Sequence, residues 1–145
     1  MKQTIAALTA TFALALPAMA DETGDPAAGE KAFRQCKACH TIASAEETIL
    51  RGGRTGPNLY GLPGRMAGAA EDFRYSDLLA TAGEQGITWD DDSFAGYVQD
   101  PTAWLNEATG ESGRGKMTFK VRNAEDAKDL WAYLVSVSPA ADGGS

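Results

Sequence analysis

Cys36, Cys39 and His40 are the residues in this chain best equipped for chemistry. They account for both cysteines and the one histidine among 145 residues, in the run Cys36-Lys37-Ala38-Cys39-His40. Two thiols three positions apart with an imidazole directly after them form the arrangement that attaches a c-type haem. The thiols can add to the two vinyl groups of the porphyrin, and His40 then lies under the iron as proximal ligand. A thioredoxin-like dithiol would need a βαβ context, and no such pattern is found. A structural zinc site usually takes four Cys or His ligands, and only three are present.

A ligand on the other face of the iron has to come from Met66, Met117, a lysine amine, or nothing at all. Met1 and Met19 fall in a leader segment. Most methionines only fill cores. Met117 lies far enough beyond His40 to return over the opposite haem face, on a Gly-rich approach, whereas Met66 sits much nearer in a loop; spacing favours Met117. A His/Met pair raises the reduction potential and suits electron transfer, while an open position would admit small ligands or catalysis. Tyr97 and Trp89 are candidate polar partners of the cofactor, since a buried Tyr O–H or Trp N–H needs a hydrogen-bond partner. Arg65 could pair with a propionate.

The elements that must hold these residues follow from periodicity and capping. Residues 1–20 read as a cleaved secretory signal peptide. Lys2 precedes an apolar core over 5–16, Pro17 interrupts it, and Ala18-Met19-Ala20 is a small-residue cleavage pattern. The apolar run is shorter than the roughly 20 residues a spanning helix needs. Residues 21–145 would be one domain outside the cytoplasm, not membrane-embedded, in a periplasm if the host is Gram-negative.

Asp25-Pro26 caps and opens a helix on which Gly29, Ala32, Phe33 and Cys36 share a face. Residues 41–68 read as a long Gly- and Pro-rich loop, of the kind that wraps a cofactor. Ser76-Asp77 starts a short helix ending near Gly86. Asp90 to Ser93 starts another, carrying Phe94, Tyr97 and Val98 and ending before Pro101. Trp104 and Leu105 fall on one further turn, and 106–115 is a polar stretch. The last helix starts near Asn123 and carries a stripe of Ala127, Leu130, Trp131, Leu134 and Val137. Residues 139–145 read as a flexible tail. The expectation is four or five short helices with no sheet, and a core that needs the cofactor to fill it.

The chain holds 13 basic and 20 acidic residues, net −7. That balance argues against nucleic-acid binding. Charge can nonetheless be segregated. Lys37 and Lys116 flank the two axial candidates, with Arg114 and Lys120 close by. They read either as a solvated face or as a basic ring steering the haem edge toward an acidic partner.

Together these features resemble the class I, mitochondrial-type c cytochromes, in particular the bacterial cytochrome c2 and c-550 group. The resemblance covers nearly all of 21–145. It rests on Cys36–His40, on Thr55-Gly56-Pro57-Asn58-Leu59-Tyr60-Gly61, on Gly86-Ile87-Thr88-Trp89, and on Lys116-Met117-Thr118-Phe119. It implies an all-α fold around one covalently bound haem c, with the terminal helices crossing where Gly29 and Phe33 meet Leu130 and Tyr133. It implies thioethers at Cys36 and Cys39 and axial bonds from His40 and Met117. Pro57 would orient the histidine through its carbonyl. Tyr75 and Trp89 would bond a propionate with Arg65 nearby, and Tyr97 would sit close to the Met117 sulfur. The function implied is that of a monomeric one-electron carrier, not an enzyme. Its partners would be a cytochrome bc complex as donor and a terminal oxidase, photosynthetic reaction centre or denitrification enzyme as acceptor. Loops at 41–54 and 106–115 are longer than in the mitochondrial form.

Overall fold

A computed structural model describes residues 24–139. The leader, the start of the domain at Asp21 and residues 140–145 of the tail lie outside that range. Helix α1 runs Pro26–Ala32, with Pro26 in its first turn and the Asp25 side chain accepting from the Ala27 N–H. Beyond it the backbone tightens from i−4 to i−3 hydrogen bonds, and Cys36–Ala38 form a 3-10 turn. The cysteines therefore sit on a turn following the first helix rather than on the helix itself.

Four more helices follow. They are α2 (Asp77–Glu84), α3 (Asp91–Gln99), α4 (Pro101–Thr109) and α5 (Ala124–Val137). Ser76 caps α2, and Asp90 with Ser93 forms a reciprocal capping box at α3. Asp100 does two jobs. Its N–H bonds to the Gly96 carbonyl at the end of α3, and its carboxylate accepts from the Ala103 N–H at the start of α4. That double cap lets α4 begin directly at Pro101.

Two expectations need correction. First, α4 is a nine-residue helix, not a single turn, so 106–109 belong to it and not to the polar stretch. Thr109 is buried and satisfies its hydroxyl on the Leu105 carbonyl, and Gly110 ends the helix at φ 72°; a polar side chain bonded back to its own helix is not a loop signal. Second, the loop at 41–68 contains a small antiparallel sheet, β1 (Ile42–Ala43) with β2 (Thr48–Leu50), joined by a turn that the Ser44 hydroxyl closes on the Glu46 and Glu47 N–H groups. Strands of two and three residues are too short to show alternation.

The terminal helices pack directly on each other. A Cβ on Gly29 would lie 1.9 Å from the Asp129 carbonyl oxygen and 2.8 Å from the Tyr133 Cβ. Phe33 and Tyr133 rings meet at 5.6 Å, and the Asp129 carboxylate accepts from the Asp25 N–H at 2.7 Å. Gly29→Ala therefore forces the backbones apart. It should cost about 3 kcal/mol as overpacking, well above the gain of about 1 kcal/mol from helix propensity. Gly113→Ala, whose Cβ would meet Leu78 at an ordinary 3.7 Å, should leave thermal unfolding of the haem-loaded protein almost unmoved. Equal melting temperatures for the two variants would show that the crossing tolerates a methyl.

Candidate functional site: a cavity for a ligated plate

The helices and the loops at 55–65 and 116–121 line a partly open cavity of about 320 Å³. Cys36, Cys39 and His40 form one part of its wall, and Met117 another. Phe33, Leu62, Leu79, Phe94, Val98, Leu130 and Leu134 make the rest largely apolar. These residues cluster in the core and frame an apolar slot whose size suits a large flat group.

The His40 ring is fixed from two sides. Its Nδ1 donates to the Pro57 carbonyl at 2.8 Å, which leaves Nε2 as the lone-pair nitrogen. The backbone of Gly56 lies against the ring so closely that a Cβ there would approach the ring Cε1 to 2.4 Å. Burial holds His40 below the usual imidazole range, with the Pro57 carbonyl opposing. A neutral imidazole is the form that binds a metal. The turn is braced in turn by Gly52 and Gly53: the Gly53 N–H bonds to the Lys37 carbonyl at 3.0 Å, and a Cβ on Gly52 would meet the His40 carbonyl oxygen at 1.9 Å. The spacing of the 51–56 glycines marked a loop, but only the packing shows that they press on the Cys36–His40 turn.

Arg65 supplies an observation that bears on what the cavity holds. Its two terminal nitrogens donate to the Tyr60 and Asn58 carbonyls at 3.2 and 3.1 Å. Its Nε is buried without a partner, and the residue lines the cavity. Burial pulls its guanidinium down from the ordinary value, opposed by the Tyr75 hydroxyl. A buried cationic N–H with no acceptor is costly, and an anionic group in the cavity would satisfy it. Tyr75, Trp89 and Tyr97 line the same space. Burial pushes the Tyr97 hydroxyl up to about 12, Tyr75 adding to the shift, so Tyr97 stays a proton donor. Trp89 is held by Tyr97 at 5.1 Å and by a stacked Trp104 at 5.8 Å. A large apolar plate with acidic edges and an iron centre fits this donor set.

Of the two methionines in contention, Met117 lines the cavity and Met66 does not. Met66 is 48% exposed and its backbone bridges to Thr88. Of the expected docking residues, Lys37 and Arg114 are exposed. Lys116 lines the cavity mouth, donates to the Arg74 carbonyl and lies 5.6 Å over the Phe73 ring. Lys120 pairs with Asp100 at 2.6 Å, which offsets its charge. Phe73, also in the cavity lining, gave no signal in the sequence beyond being aromatic, whereas Phe119, which lines it too, stood in a segment that carried the family resemblance.

The helices crossed at the chain ends, the attachment turn and the apolar cavity define a c-type cytochrome of class I. No protein-family model matches the chain. Cytochrome c2 of Cereibacter sphaeroides is 49% identical over 143 residues, 95% of this chain and 98% of that protein. Cytochrome c-550 of Paracoccus denitrificans is 43% identical over 147 residues, covering 99% and 93%. The crystal structure of cytochrome c2 from Rhodobacter sphaeroides superposes with a TM-score of 0.76 at 49% identity, covering 79% of this chain and 96% of that one. The chain belongs to the bacterial cytochrome c2 and c-550 family. Its cofactor is accordingly one covalently attached haem c, and the family to which it belongs is one of electron carriers. Among the described residues no helix is long and apolar enough to cross a membrane.

Proposed function

We propose that this protein is a soluble periplasmic carrier of single electrons whose haem is held by thioethers at Cys36 and Cys39 and bound axially by His40 and Met117. The observation that carries the reading is the convergence of the oriented, neutral His40 imidazole and the Met117 thioether on one apolar cavity. Bound there, the haem supplies an iron that cycles between Fe(III) and Fe(II). The chain does the rest. His40, locked by Pro57 and Gly56, presents Nε2 in a fixed direction. Met117, which lines the same cavity, would supply the second protein ligand and so deny that place to oxygen or peroxide. Arg65, Tyr75 and Trp89 would hold the propionates, and Tyr97, lining the same cavity as Met117 with a hydroxyl that remains protonated, would serve as a hydrogen-bond donor near its sulfur. The apolar wall excludes water, which limits the reorganisation that accompanies each change of charge.

The test is spectroscopic. Mass spectrometry of the secreted protein should show the chain from Asp21 plus one covalent porphyrin. The oxidised form should show the weak long-wavelength absorption band of thioether–iron ligation, and the reduced form should resist carbon monoxide. Rapid carbon monoxide binding would instead mark an open-site haem enzyme or gas sensor.

The proposed partners are a cytochrome bc complex as donor and an oxidase, reaction centre or denitrification enzyme as acceptor, each docking transiently on a monomer at the haem edge. Lys37, Lys116 and Arg114 would steer that encounter, with Lys120 weakened by Asp100. Replacing Lys37 and Lys116 with Glu should slow reduction by a purified bc complex roughly tenfold or more at low ionic strength. The gap should close as salt shortens the screening length to about 8 Å. Identical rates at low salt would remove the lysines from the encounter.

A further inference from the structure

We propose that Met66 is a sacrificial oxidation site, a thioether that takes oxygen from peroxide and can be repaired, at a position where the product disturbs nothing. The local backbone puts it there. Met66 pairs with Thr88 in an antiparallel bridge, and its neighbours are pinned on both sides. The Ala67 N–H bonds to the Ile87 carbonyl at 2.8 Å, and the Trp89 N–H bonds to the Arg65 carbonyl at 2.9 Å. In extended chain successive side chains face opposite ways. Arg65 faces the cavity and Ala67 is 3% exposed in the core, so Met66 between them faces solvent, at 48%.

An unbranched apolar side chain that is 48% exposed contributes less to stability than one in the core. What it retains is reactivity. The sulfur lone pair attacks one peroxide oxygen, an S–O bond forms as the O–O bond breaks, and the departing hydroxide takes the remaining proton to leave as water. Peroxide is the oxidant, and the two electrons come from sulfur. The product is a sulfoxide that thiol-dependent methionine sulfoxide reductases return to the thioether. Because the two bonds that pin this strand pair, Ala67 N–H to Ile87 and Trp89 N–H to Arg65, run between backbone groups and none is made by the Met66 side chain, a more polar side chain at 66 leaves Arg65 and Trp89 in place. Met117 is the contrary case: it is partly shielded in the cavity lining, and oxygen on its sulfur would destroy the proposed distal ligand. Preference for Met66 rests on exposure and backbone geometry; complete sparing of Met117 rests also on the axial role proposed above.

The haem-loaded protein is treated with one equivalent of hydrogen peroxide and mapped by peptide mass spectrometry. The Met66 peptide should gain one oxygen about tenfold faster than the Met117 peptide, with the long-wavelength band intact. Treatment with a methionine sulfoxide reductase and a dithiol should restore the original mass. In Met66→Leu the same dose should move oxygen onto Met117 and bleach the band. Comparable oxidation of both methionines in the unaltered protein, or no oxygen at Met66, would overturn the proposal. Absence of the band before any peroxide is added would count against the axial reading alone and leave the comparison of the two peptides standing.

Discussion

Met117→Ala should lower the reduction potential and let carbon monoxide bind the reduced protein, whereas Met66→Ala should do neither. Axial ligands set haem potentials over a range of roughly 0.8 V, and a thioether opposite a histidine lies toward its high end. Removing it should therefore move the potential by an appreciable part of that range. The two methionines make a clean contrast because one lines the cavity and the other stands in solvent across a backbone bridge. Redox titration with carbon monoxide spectra on both variants decides the matter, and a shift in the Met66 variant alone would transfer the distal role.

The second large effect is on folding. Cys36→Ala with Cys39→Ala should leave a chain that is mostly unfolded, as followed by far-ultraviolet circular dichroism. Without the cofactor the core side chains around a partly open cavity of about 320 Å³ lose their packing partner, and an ordinary domain has only about 5–15 kcal/mol of stability from which to absorb such a loss. The empty form would also keep the Arg65 Nε buried and unpaired. Folding thus depends on the attached cofactor, as it does in other domains that need their ligand. A native-like helical spectrum from the double variant would show that the polypeptide can close the space unaided.

Much of this was legible in the sequence because the features are local. The attachment turn is five consecutive residues, the α3 start is a capping box within four, and the α5 stripe repeats within one helix. Longer-range features were hidden for definite physical reasons. Nothing in Gly52 or Gly53 says that their missing side chains make room for the carbonyls of Lys37, Ala38 and His40. Nothing in Asn106 or Thr109 announces a helix, since the bonds that keep them there, such as that from Thr109 to Leu105, form only once the helix exists. Lys120 reads as a free charge until Asp100, twenty positions earlier, is brought to 2.6 Å. The terminal crossing at Gly29 and Tyr133 was expected from family resemblance alone.

That crossing also sets a schedule. Asp25 and its partner Asp129 are 104 positions apart, and a ribosome adds roughly 5–20 residues per second. The first helix therefore waits on the order of 5–20 seconds before the surface it packs against has even been made. Until then Gly29 and Phe33 have no surface to pack on, so the fold cannot close from its opening residues alone.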